Sequence, residues 1–439
     1  MVGGGPGGLI AAERLVAAGV SVVLIEAGAA VGRKFLLAGR GGLNLTHSEA
    51  FERFLVRYGE ATPRLRRALE AFTPDDLRAW CAELGEPTFV GSSGRVFPES
   101  FRANRLLEAW VGHLVASGVQ VRTGLRWQGW GDDPVDVRGG QQRSHEGAEQ
   151  GTEHGTRDGR RRFELLCEGE SGAETIGADA MVLALGGASW PGTGSDGAWV
   201  PTLEHDGIAI SPLRAANSGA EVSWTQVFAD RFAGTPVKNV AVCCGGETVR
   251  GELMVTDHGL EGGAVYALST ALRRELDADG AAVLSIDLLP DLGDGALLAR
   301  LARRRAKDSM ATVLGRHVGL APVAIGLLRE ATANRLPTDD ASLVELLREV
   351  RLEVGATSPV ERAISSAGGV SLDELDEQFM LRRRPGVFIA GEMLDWEAPT
   401  GGYLLQATFA TGVAAAHGVL QWLDGIASAA DRPQHDELG

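Results

Sequence analysis

The chain has 439 residues, 44% of them apolar and 23% charged. This is an ordinary globular composition, too long for one hydrophobic core, and it predicts two or three packed units. A formal charge of −16 argues against nucleic acid as the main partner, because phosphate contact needs a basic face.

Residues 2–26 read as strand, glycine turn, helix and strand. The helix carries Leu9, Ile10, Leu15 and Val16 for packing, and the second strand, Ser21-Val22-Val23-Leu24-Ile25, ends on Glu26. Only Met1 and Val2 precede Gly3, whereas a first strand normally spans about five residues. Native coding sequence upstream is therefore expected to lengthen that strand. Residues 60–84 and 100–117 show apolar faces at helical spacing, and Val119–Val121 starts a further strand. From Gly131 to Arg162 apolar residues almost vanish, so 131–160 is expected to be a mobile insertion. Phe163–Cys167 and Ala178–Leu185 read as strands, 220–290 as short strands and turns, and 295–350 as helix. Val387–Ala390 reads as a strand and 402–424 as a long helix.

No apolar run approaches the roughly 18 residues of a membrane span. Glu13 and Arg14 stand where the apolar core of a signal peptide would lie. The expectation is a cytoplasmic protein with no membrane partner, its oligomeric state left open. The four cysteines, Cys81, Cys167, Cys243 and Cys244, form no C-x-x-C pair. That spacing predicts neither a disulfide framework, nor a redox pair, nor a metal site.

The chemistry concentrates at Gly3-Gly4-Gly5-Pro6-Gly7-Gly8, a G-x-G-x-x-G pattern that opens a helix, with Glu26 ending the next strand. Gly3 permits the tight turn, Gly5 lets backbone approach a pyrophosphate, and Gly8 lets the helix sit close to the sheet. The helix start that follows, at Pro6, offers N–H groups and a positive dipole end to phosphates. Glu26 can accept ribose hydroxyls and would repel a 2′-phosphate. A ligand-free glycine turn is the bland alternative.

The next segments resemble the glutathione-reductase-type FAD fold. Gly32-Arg33-Lys34 resembles its G-R segment, in which the arginine helps with pyrophosphate; a surface basic pair is the competing reading. Ala184-Leu185-Gly186-Gly187 resembles its A-T-G segment, and Gly391-Glu392 its C-terminal G-D motif, here with the longer acid. The segments 32–49, 94–103, 183–197, 251–269, 363–375 and 388–406 further resemble a bacterial family described as BaiN-like, YhiN-like or aminoacetone oxidase-like NAD(P)/FAD-dependent oxidoreductases. Much of that family has a cysteine-bearing G-R-C-N segment, whereas this chain has Gly41-Gly42-Leu43-Asn44, so any role of that cysteine is absent.

The resemblance implies an α/β fold: a Rossmann-like FAD-binding domain with an inserted β-rich domain and a helical subdomain. The expected bounds are 1–214 and 356–428 for the FAD domain, 215–355 for the insertion and 429–439 for a flexible tail. It implies FAD contacts from Gly3, Gly5, Pro6, Gly8, Glu26, Arg33, Lys34, Gly41, Gly42, Asn44, Gly186, Gly187, Gly391, Glu392, Gly401, Gly402 and Tyr403. The helix from about Tyr403 would aim its N-terminus at the flavin, with Gly401 and Gly402 small so that the ring can approach.

No second dinucleotide motif is present, so NAD(P)H would act as a transient co-substrate, or oxygen would reoxidise the flavin. The expected activity is hydride transfer between a small organic substrate and flavin. His47, His258, Asp395, Glu397 and Tyr403 are candidate acids or bases. A tRNA-modifying flavoprotein and a non-catalytic flavin-bearing redox sensor are the alternatives; the first would need a basic surface that the −16 charge speaks against.

Overall fold

The computed structural model describes residues 1–39, 42–131 and 163–430. The insertion expected over 131–160 (all but Gly131), residues 431–439 of the expected tail and the candidate site residue Gly41 lie outside the described residues.

The chain divides into two compact units. The first comprises 1–187, 191–213 and 368–439, the second 188–190 and 214–367. In the first unit, helix α1 (Pro6–Ala17) follows the glycine turn with proline in its first turn, where a missing N–H costs nothing. Strand β1 (Val23–Glu26) pairs in parallel with β2 (Gln120–Thr123). Val2 bridges in parallel to Ile25 on one side and to Leu183 on the other. Strand β3 (Met181–Leu183) pairs in parallel with β4 (Val387–Ile389). The order β2, β1, Val2, β3, β4 is that of a doubly wound parallel sheet. Its strands carry Leu24, Ile25, Val182, Leu183, Phe388 and Ile389, all 2% exposed or less, as a sheet covered on both faces requires.

The N-terminal dipeptide serves as the central strand. Val2 N–H donates to Val182 O at 2.9 Å, Gly3 N–H to Ile25 O at 2.9 Å and Ala184 N–H to Val2 O at 2.8 Å. The final helix, Tyr403–Ala430, packs on α1, and glycine makes the approach possible. A Cβ on Gly412 would lie 2.5 Å from Gly7 O.

The expected helix over 60–84 is two helices, Thr62–Ala71 and Pro74–Glu83. Thr73 ends the run because it starts the next one. It accepts from Asp76 N–H, Asp76 accepts in return, and Pro74 follows: a capping box.

In the second unit a seven-stranded sheet runs in the order 350–354, 282–287, 236–244, 247–255, 259–261, 220–221, 356–357. Its separate core includes Val242, Leu253, Leu284, Ile286, Leu314 and Leu327. The stretch 220–290, expected as strands and turns, also contains the helices Gln226–Phe232 and Ser269–Asp279.

One buried polar contact ties α1 to its neighbours. Glu13 is 8% exposed. Its carboxyl accepts from Trp80 Nε1–H at 3.0 Å and from Trp110 Nε1–H at 2.5 Å, while the two indoles meet edge-on at 4.8 Å. Both donors are too deep to find water, so removing the acceptor costs their full desolvation. Glu13→Ala should destabilise the protein by roughly 2–4 kcal/mol, read as a lower urea midpoint of tryptophan fluorescence. Glu13→Gln, which keeps one acceptor oxygen, should lose less than half as much. An unchanged midpoint for Glu13→Ala would show that the indoles do not depend on this carboxyl.

Candidate functional site

The glycine turn is built by close backbone approach. Gly3 has φ +102°, and a Cβ there would lie 2.3 Å from Ala184 O. A Cβ on Gly8 would lie 2.0 Å from Gly3 O. Gly5 differs, since nothing lies within 4 Å of where its Cβ would be. Gly5 is the N-cap of α1 and no side chain caps that helix, so the N–H groups of its first turn have no side-chain acceptor at the cap.

Glu26, at the end of β1, accepts from Gly4 N–H at 2.9 Å, from Gly28 N–H at 2.7 Å and from Arg33 at 3.1 Å. A carboxylate has about four acceptor sites, which leaves room for a ribose hydroxyl.

Helix α2 (Arg33–Ala38) begins after Gly32, whose φ of +69° is left-handed. Its first two residues reach apart. Arg33 lies on Glu26 and approaches Gly192 O at 3.4 Å, so the arginine expected at the pyrophosphate sits beside the ribose acid. Lys34 lies 2.6 Å from Glu392 and 3.4 Å from Ser195 Oγ. Behind Ser195 stands Gly186, φ +76°, where a Cβ would meet Ser195 Oγ at 3.0 Å. Gly187 O accepts from Gly197 N–H at 3.0 Å. Gly391, φ +75°, donates to Thr411 Oγ1 at 3.0 Å and accepts from Trp396 Nε1–H at 3.0 Å. Arg33, Lys34, Gly186, Glu26, Gly391 and Glu392 are thus brought to one region of the first unit.

Gly42, φ +118°, would present a Cβ 3.4 Å from the Phe101 ring. Asn44 Oδ1, Thr46 Oγ1 and Arg33 Nε are buried without a hydrogen-bond partner. Native interiors rarely leave such atoms unpaired. These orphans, together with the open space before Gly5 and the acid on β1, fit a dinucleotide that carries hydroxyls and phosphates.

Gly402 has a different reason to be glycine from the one expected. A Cβ there would lie 2.5 Å from the backbone of Thr46, and one on Gly401 would lie 2.9 Å from the Tyr403 ring. Packing within the protein already demands both, whether or not a ring approaches.

Tyr403 is 4% exposed. Its hydroxyl donates to Glu49 Oε1 at 2.5 Å, and its carbonyl accepts from Tyr58 at 2.8 Å. Arg57 makes a two-pronged contact to Glu49 at 3.0 and 2.9 Å and lies over the Tyr403 ring at 5.7 Å. The His47 ring stacks on Tyr403 at 5.5 Å. Burial, followed by the hydrogen bond to anionic Glu49, pushes the Tyr403 phenol well above its ordinary value. The Arg57 hydrogen bond leads the causes that hold Glu49 below its ordinary value. His47 Nδ1 accepts from Glu49 N–H at 3.1 Å, so Nε2 carries the proton and donates to Ser93 O at 3.0 Å.

The other acid–base candidates stand elsewhere. Asp395 accepts from Ser211 Oγ at 2.5 Å, Glu397 is half-buried beside Trp396, and His258 is in the second unit, exposed and 3.2 Å from Asp257. Glu49, Arg57, Tyr58 and Ser195 were not singled out by the sequence. Glu49 and Ser195 fall inside the segments that carry the family resemblance, while Arg57 and Tyr58 have no motif to mark them.

All four cysteines are free. Among the described residues no His, Cys, Asp and Glu group of three or more could hold a metal, and no helix is long and apolar enough to cross a membrane.

Comparison with known proteins follows the same lines. The chain is 25% identical over 430 residues, 94% of its own length and 96% of the relative's, to the 3-dehydro-bile acid delta(4,6)-reductase of Clostridium scindens. It is 24% identical over 425 residues, 95% and 96% of the two chains, to the ribosomal RNA dihydrouridine synthase of Haemophilus influenzae. In fold it is similar to the crystal structure of 3-ketosteroid delta1-dehydrogenase from Sterolibacterium denitrificans, with a TM-score of 0.51 at 13% identity, covering 96% of this chain and 98% of that one. The family described as HI0933-like protein Rossmann domain matches residues 1–418. The chain belongs to this HI0933-like Rossmann family and is an FAD-dependent oxidoreductase.

Proposed function

We propose that the protein reduces a carbon–carbon double bond conjugated to a carbonyl in a small organic molecule, with NAD(P)H as the transient hydride source. The observation that carries this reading is Tyr403, a buried phenol that donates to Glu49 at the start of the C-terminal helix beside the Gly401–Gly402 turn. Such a reduction adds a hydride to the carbon β to the carbonyl and a proton to the α carbon, so it needs a proton donor as well as a hydride source. The names of both full-length relatives describe this change, because a 4,6-diene next to a 3-oxo group and the uracil ring of uridine each hold a conjugated C=C bond.

FAD, when bound, supplies reversible storage of the hydride equivalent. In this reading the N–H groups at the start of α1 hold the pyrophosphate, and Glu26 takes the adenosine ribose and excludes a 2′-phosphate. Asn44 and Thr46 offer their unpaired oxygens to cofactor hydroxyls. Gly42, Gly186, Gly187, Gly391 and the Gly401–Gly402 turn frame the cofactor with backbone. Tyr403 gives its Oη proton to the substrate's α carbon as the hydroxyl turns from Glu49, and solvent returns it. Arg57 keeps Glu49 ionised so that it accepts and does not donate. The cytoplasm, where NAD(P)H is available, is the proposed location.

Reduction of a uracil ring within RNA is a second reading, favoured by the 95% and 96% coverage in the match to the Haemophilus protein. The −16 charge weighs against a large phosphate footprint.

Three variants and a pH profile check these roles. A Cβ at residue 5 has no protein atom within 4 Å, so Gly5→Val should fold with an unchanged far-ultraviolet spectrum yet bind no FAD. Gly8→Ala, aimed into the Gly3 carbonyl, should fail to fold; a Gly5→Val protein that keeps its flavin would remove α1 from the site. Tyr403→Phe should bind FAD normally and reduce a planar enone roughly 100-fold or more slowly. The wild-type rate should show no alkaline loss below about pH 10, since the phenol's ordinary value is already about 10 and burial raises it. A Tyr403→Phe enzyme as fast as wild type would dismiss Tyr403 as the donor. An enzyme inert towards enones but active on uridine in ribosomal RNA would replace the first reading with the second.

A further inference from the structure

The acid of the C-terminal motif is glutamate, and the structure shows what it reaches. Glu392 lies 2.6 Å from Lys34 Nζ, with the two side chains 17% and 26% exposed. The residues are 358 apart in sequence, so this contact joins the first helix after β1 to the turn after β4. Lys34 also lies 3.4 Å from the hydroxyl of Ser195, which is 5% exposed and backs Gly186. Three glycine-marked segments therefore converge on one ammonium group. The neighbouring cation cannot replace it, because Arg33 is held by Glu26 at 3.1 Å.

We infer that Lys34 is a positioning residue that neutralises Glu392 and so sets the charge seen by the flavin. This rests on the reading that FAD occupies this region. Reduction adds negative charge to the flavin. A carboxylate paired with an ammonium presents little net field, whereas the same carboxylate alone, partly shielded from water, would oppose reduction. Glutamate suits the role because its extra methylene carries the carboxylate out to Lys34. In this arrangement the acid acts as one half of an ion pair. It is not a solitary hydrogen-bond acceptor for the cofactor's chain.

A double-mutant cycle tests the inference with readouts other than turnover. Wild type, Lys34→Met, Glu392→Gln and the double variant are stripped of flavin and titrated with FAD by fluorescence quenching, and each midpoint potential is then read against a redox dye. Lys34→Met should weaken FAD binding by roughly tenfold or more, as breaking a partly buried pair does, and should lower the potential. Glu392→Gln should raise the potential. The double variant, neutral again, should return to within about threefold of wild-type affinity, since the two effects are coupled and not additive. If Lys34→Met does not fold, the Glu392→Gln potential alone decides, and an unchanged value overturns the inference. Additive effects overturn it as well. So does a Glu392→Gln variant that loses FAD as severely alone as in the double, because Glu392 would then be a direct ligand. Wild-type protein that takes up no FAD would instead overturn the placement of the cofactor, a separate failure.

Discussion

Everything in the first unit hangs on one close approach, the Gly3 carbonyl against the first turn of α1. With 2.0 Å between that oxygen and the Cβ position of residue 8, only glycine lets the helix begin there. The helix then leaves the central strand at an angle that brings Gly7 against Gly412 of the last helix. It also carries Glu13 to the indoles of Trp80 and Trp110. With Gly5 as its N-cap the helix has no side-chain cap, so in the proposed reading the donors of its first turn serve the cofactor's phosphates.

Charge is then distributed in pairs. Arg33 sits on Glu26 and Lys34 on Glu392, so the two cations after β1 bring little net positive charge to the site. A bound pyrophosphate would be met chiefly by backbone N–H groups and the dipole of α1, whose contribution is about 0.3–1 kcal/mol per charge when exposed and more when partly buried. Elsewhere in the first unit, Arg57 pairs with Glu49 and Glu49 accepts from Tyr403. Arg57 thus holds Glu49 below its ordinary value, while burial and the hydrogen bond to Glu49 hold the Tyr403 phenol above its own.

Much of the fold could be read from residues whose pattern has a local cause. The parallel unit was legible because apolar runs such as Val22–Ile25 and Val387–Ala390 are short, uninterrupted and end on acid or glycine. The Thr73–Pro74 break was missed, although Thr-Pro-Asp-Asp is a helix-start signal, because the apolar spacing runs on across it. The helices Gln226–Phe232 and Ser269–Asp279 were missed because strand-like segments flank them. In the site, the glycines announced themselves. The pairing of Lys34 with Glu392, and of Tyr403 with Glu49 and Arg57, did not, since residues some 350 positions apart meet only through the fold. Gly402 has a further requirement that the sequence did not show: a Cβ there would meet the backbone of Thr46.

The central claim is that electrons pass from a nicotinamide to a conjugated double bond through a flavin held in the first unit. Anaerobic rapid mixing of the yellow protein with NADPH or NADH tests it most directly. The flavin's visible absorbance should bleach, and a second mix with a planar α,β-unsaturated ketone should restore it much faster than air-saturated buffer does. Failure of both nicotinamides to bleach the flavin, or reoxidation by oxygen faster than by any enone, would contradict the account.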